Sequence, residues 1–343
     1  MMARDKLLCT GAAGFAGAHI VRHLMTNTDW DIIGLDRLSY AGSLERLGEW
    51  QGNPRLKMVF HDFRGAYPAS VLRALEGVRY VIHNGAETHV ERSIHDPESF
   101  VMSNVVGTMN TLEAARQLQV EHFIYVSTDE VHGPAPNGVD FVEDSPIRPS
   151  NPYSAAKAGG EALAYAWSRC YRLPVTTTRT MNLIGERQHP EKFVPMCISK
   201  VLNGEKVTVH GRREGDGKWT IGSRKWIHAR NQADALLFLL RLQHTKGQDK
   251  AAARVGHGET YHVAGEERSN LEIAHFIAKT LGKKLDHEIV DIHADRPGHD
   301  LRYSLSDESI KSLGWTPPVA FEESLRRCIE WSVRLENLRW LEG

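Results

Sequence analysis

The chain has 343 residues, 41% hydrophobic and 25% charged, with a formal net charge of -1. That length is comfortable for two domains and can bury a large core without disulfides or a structural metal, and the balanced charge excludes a global field drawing the protein to nucleic acid or an anionic membrane. Cys9, Cys170, Cys197 and Cys328 lack C-x-x-C spacing, the first residues run straight into a strand-like stretch without the apolar segment of a signal peptide, and no run approaches the ~18–20 apolar residues of a membrane span, so a cytoplasmic protein with no metal is expected.

In chain order, Lys6–Thr10 reads as a strand and His19–Met25 as helix. Trp30–Asp36 and Lys57–Phe60 are strands, Ser70–Leu75 a helix, Tyr80–His83 a strand and Ser99–Leu118 a long helix. His122–Ser127, Ser154–Tyr171 and Val175–Arg179 continue as strand, helix and strand. Such alternation predicts a Rossmann-type α/β fold, a doubly wound parallel sheet. After Arg179 the rhythm breaks, and Gly, Pro and charged residues crowd the stretch from Gly185 to Gly222. The expected division is a dinucleotide-binding domain over 1–180, with 224–245 returning to it through a helix at Asn231–Leu242. A smaller, mixed α/β C-terminal substrate lobe takes 181–223 and 246–343. In open α/β sheets ligands bind past the carboxyl ends of the strands, so the chemistry is expected after Thr10, Asp36, His83, Ser127 and Arg179.

Gly11-Ala12-Ala13-Gly14-Phe15-Ala16-Gly17 joins the first strand to the first helix. Its glycines allow a tight turn and a close approach of backbone N–H groups to a pyrophosphate, which the helix N-terminus also favours. The second strand ends at Asp36, 19 residues after Gly17. An acid there can accept both ribose hydroxyls of NAD and would repel the 2′-phosphate of NADP, although the adjacent Arg37 could accept that phosphate. Asp62 reads either as a surface acid at a strand end or as a hydrogen-bond acceptor for an adenine amino group.

Tyr153 and Lys157 are four apart at the start of a helix and share one face. An ammonium beside a phenol is expected to lower the phenol's titration point, letting it take a proton from an alcohol whose carbon gives up hydride. Ser127-Thr128-Asp129-Glu130 ends a strand at the expected crevice. An adjacent Asp-Glu pair in a random loop is merely solvated. Inside a crevice the two can divide labour, one staying neutral as an acid and the other ionised as a base.

These residues resemble the extended short-chain dehydrogenases and, within them, the dTDP-glucose 4,6-dehydratases, over nearly the whole chain. The resemblance is carried by the glycine loop and by Asp36-Arg37-Leu38-Ser39-Tyr40-Ala41-Gly42. It continues through Glu87-Thr88-His89-Val90-Glu91-Arg92-Ser93, Asn104–Thr108, Thr128-Asp129-Glu130-Val131 and Asn151–Ala158. In the second half it is carried by Pro190–Pro195, Arg224-Lys225-Trp226, Asn270 and Asp295–Asp300.

The resemblance implies a bound NAD, a nucleotide-diphosphate hexose substrate and a homodimer formed through the helices Ser99–Leu118 and Ser154–Tyr171. It implies that Tyr153 deprotonates the sugar 4-hydroxyl with Lys157 assisting. Asp129 would protonate the departing 6-hydroxyl, Glu130 would take the C5 proton, and Thr128 would bond the 4-oxygen. Gly11, Gly14, Phe15, Ala16, Gly17, Asp36, Arg37, Ser39, Asp62, Phe63, Ala86 and Ser103 would surround the cofactor along with Tyr153 and Lys157. Thr88, Asn182, Lys192, Phe193, His210, Arg224, Asn270, Arg296 and His299 would hold the substrate. Leu183 stands where the family often has asparagine, His210 where an aromatic is common, and the loop from Gly211 to Ser223 is longer. These departures lie on the nucleotide and sugar side and leave the base and hexose open. A 4-epimerase or decarboxylase of the same fold, or a non-catalytic NAD-sensing protein, has no need of Tyr153, Lys157 and both acids together.

Overall fold

The computed structural model describes residues 4–244, 255–292 and 300–342. Six strands alternate with helices through the first half: β1 Lys6–Thr10, β2 Asp31–Asp36, β3 Leu56–Phe60, β4 Val78–His83, β5 His122–Thr128 and β6 Val175–Thr180. The smaller strands follow as β7 Asn182–Ile184, β8 Val207–Arg213, β9 Trp219–Ile221 and β10 Ser223–His228. After them come β11 His257–Val263, β12 Glu266–Ser269, β13 His287–Asp291 and β14 Arg302–Tyr303. The main sheet runs β11-β6-β5-β4-β1-β2-β3, and every neighbouring pair in it is parallel. This is the doubly wound sheet the alternating pattern predicts.

The central strands β1, β2, β4 and β5 are buried on both faces, which explains why they read as mostly apolar runs. Leu7, Cys9 and Ile32 pack with Ile20 and Leu24 of helix α1 (Phe15–Asn27), whereas Leu8, Ile33 and Leu35 face Leu112 and Tyr125 on the other side. Each fully buried leucine or isoleucine in these layers contributes roughly 1.5–3 kcal/mol of transfer free energy.

The helices after α1 are α2 Ala69–Ala74, α3 Val90–His95, α4 Pro97–Val101, α5 Gly107–Gln117 and α6 Pro152–Tyr171. Beyond them lie α7 Phe193–Asn203, α8 Ala229–His244 and α9 Asn270–Thr280. The expected single helix Ser99–Leu118 is interrupted by a π-helical turn at Met102–Val106. That turn buries Asn104, whose side chain pairs with both backbone groups of Glu87 at 2.9 Å. Helix α6 starts sharply because Pro152 occupies its first turn and Asn151 and Ser154 form a reciprocal capping box.

The rest of the chain builds a second core around Val194, Ile198, Val209, Ile273 and Leu325. Its strands form the path β12-β10-β14, with β7 beside β10, and a separate sheet β13-β8-β9. The long segment from Gly211 to Ser223 is a β-hairpin, with Arg213 paired to Trp219 and Gly217 in the turn at φ +83°. Two segments fall otherwise than the sequence division has them. Residues 224–228 lie in β10, within the smaller sheet, and the return begins with α8, which packs on α1. Strand β11, expected in the substrate lobe, is an edge of the main sheet because Tyr261 and Val263 belong to the same core as Leu236 and Leu240.

Candidate active site

A cavity of about 380 Å³ opens at the carboxyl ends of β1, β2, β4, β5 and β6 and continues under the second core to Trp226. The first strand's turn builds one end of it. Gly11 has φ +67°, and a Cβ there would lie 2.7 Å from Gly85 Cα. Gly14 caps α1 without a side-chain hydrogen bond, and the first turn of α1 holds no acid. The free N–H groups of that helix end therefore suit an anion such as a pyrophosphate. Asp36 accepts from Ala13 N at 2.9 Å and Leu38 N at 2.8 Å, which fixes its carboxylate on the cavity wall. Arg37 is held by Asp62, at 3.4 Å, and by Glu87. Those two acids neutralise the cation that could have welcomed a 2′-phosphate.

Of the residues expected around a cofactor, Gly11, Gly14, Phe15, Ala16, Asp36, Arg37, Ser39, Phe63, Ala86, Ser103, Tyr153 and Lys157 line the cavity. Gly17 and Asp62 do not. At Gly17 a Cβ would lie 2.0 Å from Gly11 O, so this glycine lets α1 pack against the turn. Asp62 is occupied by Arg64, whose Nη2 donates to it at 2.6 Å. Thr88, Asn182, Lys192 and Phe193 line the other end. His210, Arg224 and Asn270 lie off the wall, and Arg296 and His299 lie outside the described residues. Arg224 donates to the carbonyls of Ser223, Asp300 and Leu301 and sits over the Tyr303 ring, yet its charge still reaches Asp129 and Glu130.

The wall also includes residues to which the sequence assigns no role, among them Asn84, Gly85, Glu87, Gln188, His189 and Trp226. The first three follow β4, and the strand-end rule could have found them. Trp226 reaches the cavity through β10, a strand of the other sheet, and its motif Arg224-Lys225-Trp226 points to the arginine instead.

Thr128, Asp129 and Glu130 turn from β5 into a short 3-10 helix, Asp129–His132, capped by Thr128. Thr128 Oγ1 donates to Asp129 Oδ1 at 2.9 Å, while Asp129 Oδ2 is buried with no hydrogen-bond partner among the described residues. Burial, then the neighbouring Glu130 charge, push the Asp129 carboxyl up to about 7. Glu130 is also raised by burial, but Asn151 Nδ2 donates to its Oε2 at 3.1 Å, and Arg224 and Lys192 favour its charge. Burial thus raises both carboxyls, while Asn151 and Lys192 support the charge on Glu130 and that charge disfavours ionisation of Asp129.

Lys157 is buried and donates to Val126 O at 2.6 Å. Burial pushes its ammonium down to about 7, partly offset by Glu161. The expectation that Lys157 lowers the Tyr153 phenol is corrected, since the phenol is raised. Burial, followed by the Glu130 charge, raises Tyr153, and the Thr128 hydrogen bond offsets only part of the rise. Desolvation is the largest cause of that rise, and the Lys157 ammonium donates to the β5 carbonyl of Val126.

Among the described residues, His19, Glu186 and His228 form a cluster of metal-ligand type. Hydrogen bonding explains it better. His228 Nδ1 accepts from Arg230 N at 3.0 Å, and its Nε2 lies 3.2 Å from Glu186 Oε2. His19 Nε2 lies 3.1 Å from Glu186 O. The cluster ties α1 to the second core.

A family model described as GDP-mannose 4,6 dehydratase matches residues 8–328. The chain is 38% identical to the low-salt glycan biosynthesis protein of Haloferax volcanii, over 95% of this chain and 97% of that protein. It is 35% identical to the dTDP-glucose 4,6-dehydratase of Shigella flexneri, over 98% and 95%. The crystal structure of the dTDP-glucose 4,6-dehydratase DesIV from Streptomyces venezuelae, which contains NAD, superposes with a TM-score of 0.83 at 36% identity, covering 98% of this chain and 99% of that one.

Proposed function

The chain belongs to the GDP-mannose 4,6 dehydratase family, and from that premise we propose that it converts a nucleoside-diphosphate hexose, dTDP-glucose or a close analogue, into the 4-keto-6-deoxy sugar and water. It is an NAD-dependent nucleotide-sugar 4,6-dehydratase. The observation that carries the reading is the adjacent pair of buried Asp129 and half-buried Glu130, which line one cavity with Tyr153 and are both raised by burial.

NAD, when bound, supplies the acceptor for hydrogen leaving C4 and the donor for hydrogen arriving at C6. The helix end after Gly14 would hold its pyrophosphate and Asp36 its adenosine ribose. Tyr153 takes the proton of the 4-hydroxyl, and Lys157 supports it. The resulting ketone acidifies the C5 proton, which Glu130 removes. Asp129 gives its proton to the 6-oxygen, which leaves as water. Glu130 then returns a proton to C5. Thr128 steadies the 4-oxygen, and Thr88, Asn182, Lys192 and Phe193 contact the sugar nucleotide.

Residues 181–228 with the chain after β11 would form the nucleotide-sugar lobe. A homodimer through α5 and α6 is supported by exposed Met109 and Tyr165 on those helices. A cytoplasmic address is supported by four free thiols, since such thiols persist in reducing compartments.

The test is incubation with dTDP-, UDP-, GDP- and CDP-hexoses, using substrate labelled with deuterium at C4. A dehydratase gives a 4-keto product with the label at C6 and solvent hydrogen at C5. A product inverted at C4 with its 6-hydroxyl intact would overturn the reading in favour of a 4-epimerase.

A further inference from the structure

We propose that Arg179 is a positioning residue that locks the hydride-handling helix and the proton-handling turn at one spacing, an inference that rests on the dehydration reading. Arg179 lies on β6 opposite Ser127, with only 4% of its surface exposed, and the reaction scheme above does not use it.

Its guanidinium connects the two sides of the site. Nε and Nη2 form a fork on Glu161, with contacts of 3.1 and 2.9 Å. Glu161 is one turn beyond Lys157 on α6, so the fork grips the helix that carries Tyr153 and Lys157. Nη1 points the other way. It meets His132 Nε2 at 3.0 Å, Glu143 O at 2.9 Å and His262 Nε2 at 3.4 Å. His132 ends the 3-10 turn that begins with Asp129 and Glu130.

Proton placement is consistent throughout. Arginine only donates, so both histidines must offer a lone pair on Nε2. Their Nδ1 atoms face carbonyls, Pro146 O at 3.0 Å for His132 and Ser306 O at 3.1 Å for His262, and therefore carry the protons. Burial, with Arg179 nearby, lowers both rings and keeps them neutral.

A buried ion pair is a weak source of net stability, because desolvation consumes most of the attraction. A fixed spacing is a stronger use for it. Elimination must follow oxidation of the same sugar, and misplacing a reacting group by about 1 Å can cost ~10²-fold. The fork makes the geometry specific, since lysine carries the charge without the planar pair of donors.

The variants that test this are R179K, which loses the fork, H132L, which loses the acceptor, and H132Q, which restores an acceptor oxygen. Amide hydrogen exchange is measured on the NAD-loaded protein without substrate, and turnover with a nucleoside-diphosphate hexose is followed alongside absorbance of reduced bound cofactor. For R179K and H132L the expected result is faster exchange in both 128–132 and 152–161. The kcat should fall about 10- to 100-fold with KM nearly unchanged, and reduced cofactor should accumulate because elimination lags oxidation. H132Q should recover most of the loss. Exchange that rises in only one segment, or wild-type kcat per folded molecule, would overturn the proposal. If R179K does not fold, H132L decides by the same readouts. If the wild type yields no 4-keto sugar, the dehydration reading fails, and the exchange result still judges the coupling of the two segments.

Discussion

Asn151 donates its side-chain N–H to Glu130 at 3.1 Å while its Oδ1 caps α6 by accepting from Ser154 N at 2.9 Å. One amide thus joins the proposed C5 base to the helix of Tyr153 and Lys157. Asn151→Ser should keep the cap and change stability by less than about 0.5 kcal/mol, whereas Asn151→Ala should cost roughly 1 kcal/mol. Both should lose the donor to Glu130 and slow dehydration by about tenfold, since one hydrogen bond to a charged group is worth ~1.5–3 kcal/mol. Chemical denaturation and product formation measure the two effects separately. Full activity in Asn151→Ser would show that Glu130 needs no such support.

Two charged groups of the site, Asp129 and Lys157, give a pH signature in stability. Asp129 rises from its ordinary value to about 7, so the folded protein binds its proton more tightly, and this group's cost grows as pH increases from about 4 to 7. Lys157 falls to about 7, so its cost is greatest below that pH and fades toward 10.5. Asp129→Asn should therefore stabilise the cofactor-free protein above pH 7 but not near pH 4. Lys157→Met should stabilise it below pH 7 and lose that advantage in base. Urea unfolding across pH checks both; equal gains at every pH would reject the assignment.

Glu130→Gln should abolish dehydration yet leave C4 oxidation, which depends on Tyr153. Reduced bound cofactor should then appear after substrate is added, with no deuterium entering C5 in deuterium oxide. Tyr153→Phe should suppress both signals. Dehydration at the wild-type rate in Glu130→Gln would assign the C5 base elsewhere.

Glu87→Ala should free Arg37 from one of its two acids. The released guanidinium would favour a 2′-phosphate, so the protein should retain more NADP relative to NAD after purification, read by chromatography of the denatured supernatant. An unchanged ratio would place discrimination in Asp36 alone.

Gly17→Ala should destabilise the fold by about 3 kcal/mol or more through overpacking. The added Cβ meets backbone on the rigid turn, with Gly11 O at 2.0 Å and Ala12 Cα at 2.9 Å. Calorimetry on purified protein measures this. A fall in cofactor content at unchanged stability would instead make Gly17 a contact residue.

The sequence by itself determined the parallel sheet, because the central strands β1, β2, β4 and β5 are mostly apolar runs buried on both faces and their ends are marked by local chemistry. The glycine turn, Asp36, the Thr128–Glu130 turn and the Tyr153–Lys157 helix were all legible, since each is a short segment whose spacing carries its geometry. Tertiary structure decided what depends on contacts between distant segments. Strand β11 joins the main sheet through side chains of α8, and Arg224 is drawn away from the cavity wall by the carbonyls of Asp300 and Leu301. The proton affinities of Tyr153 and Lys157 also belong to this level. Their spacing puts them on one face, but burial sets their charge, and burial is a property of everything packed around them. Arg179 shows the same limit: nothing near it in sequence announces Glu161, His132 and His262, which only the folded sheet brings to one guanidinium.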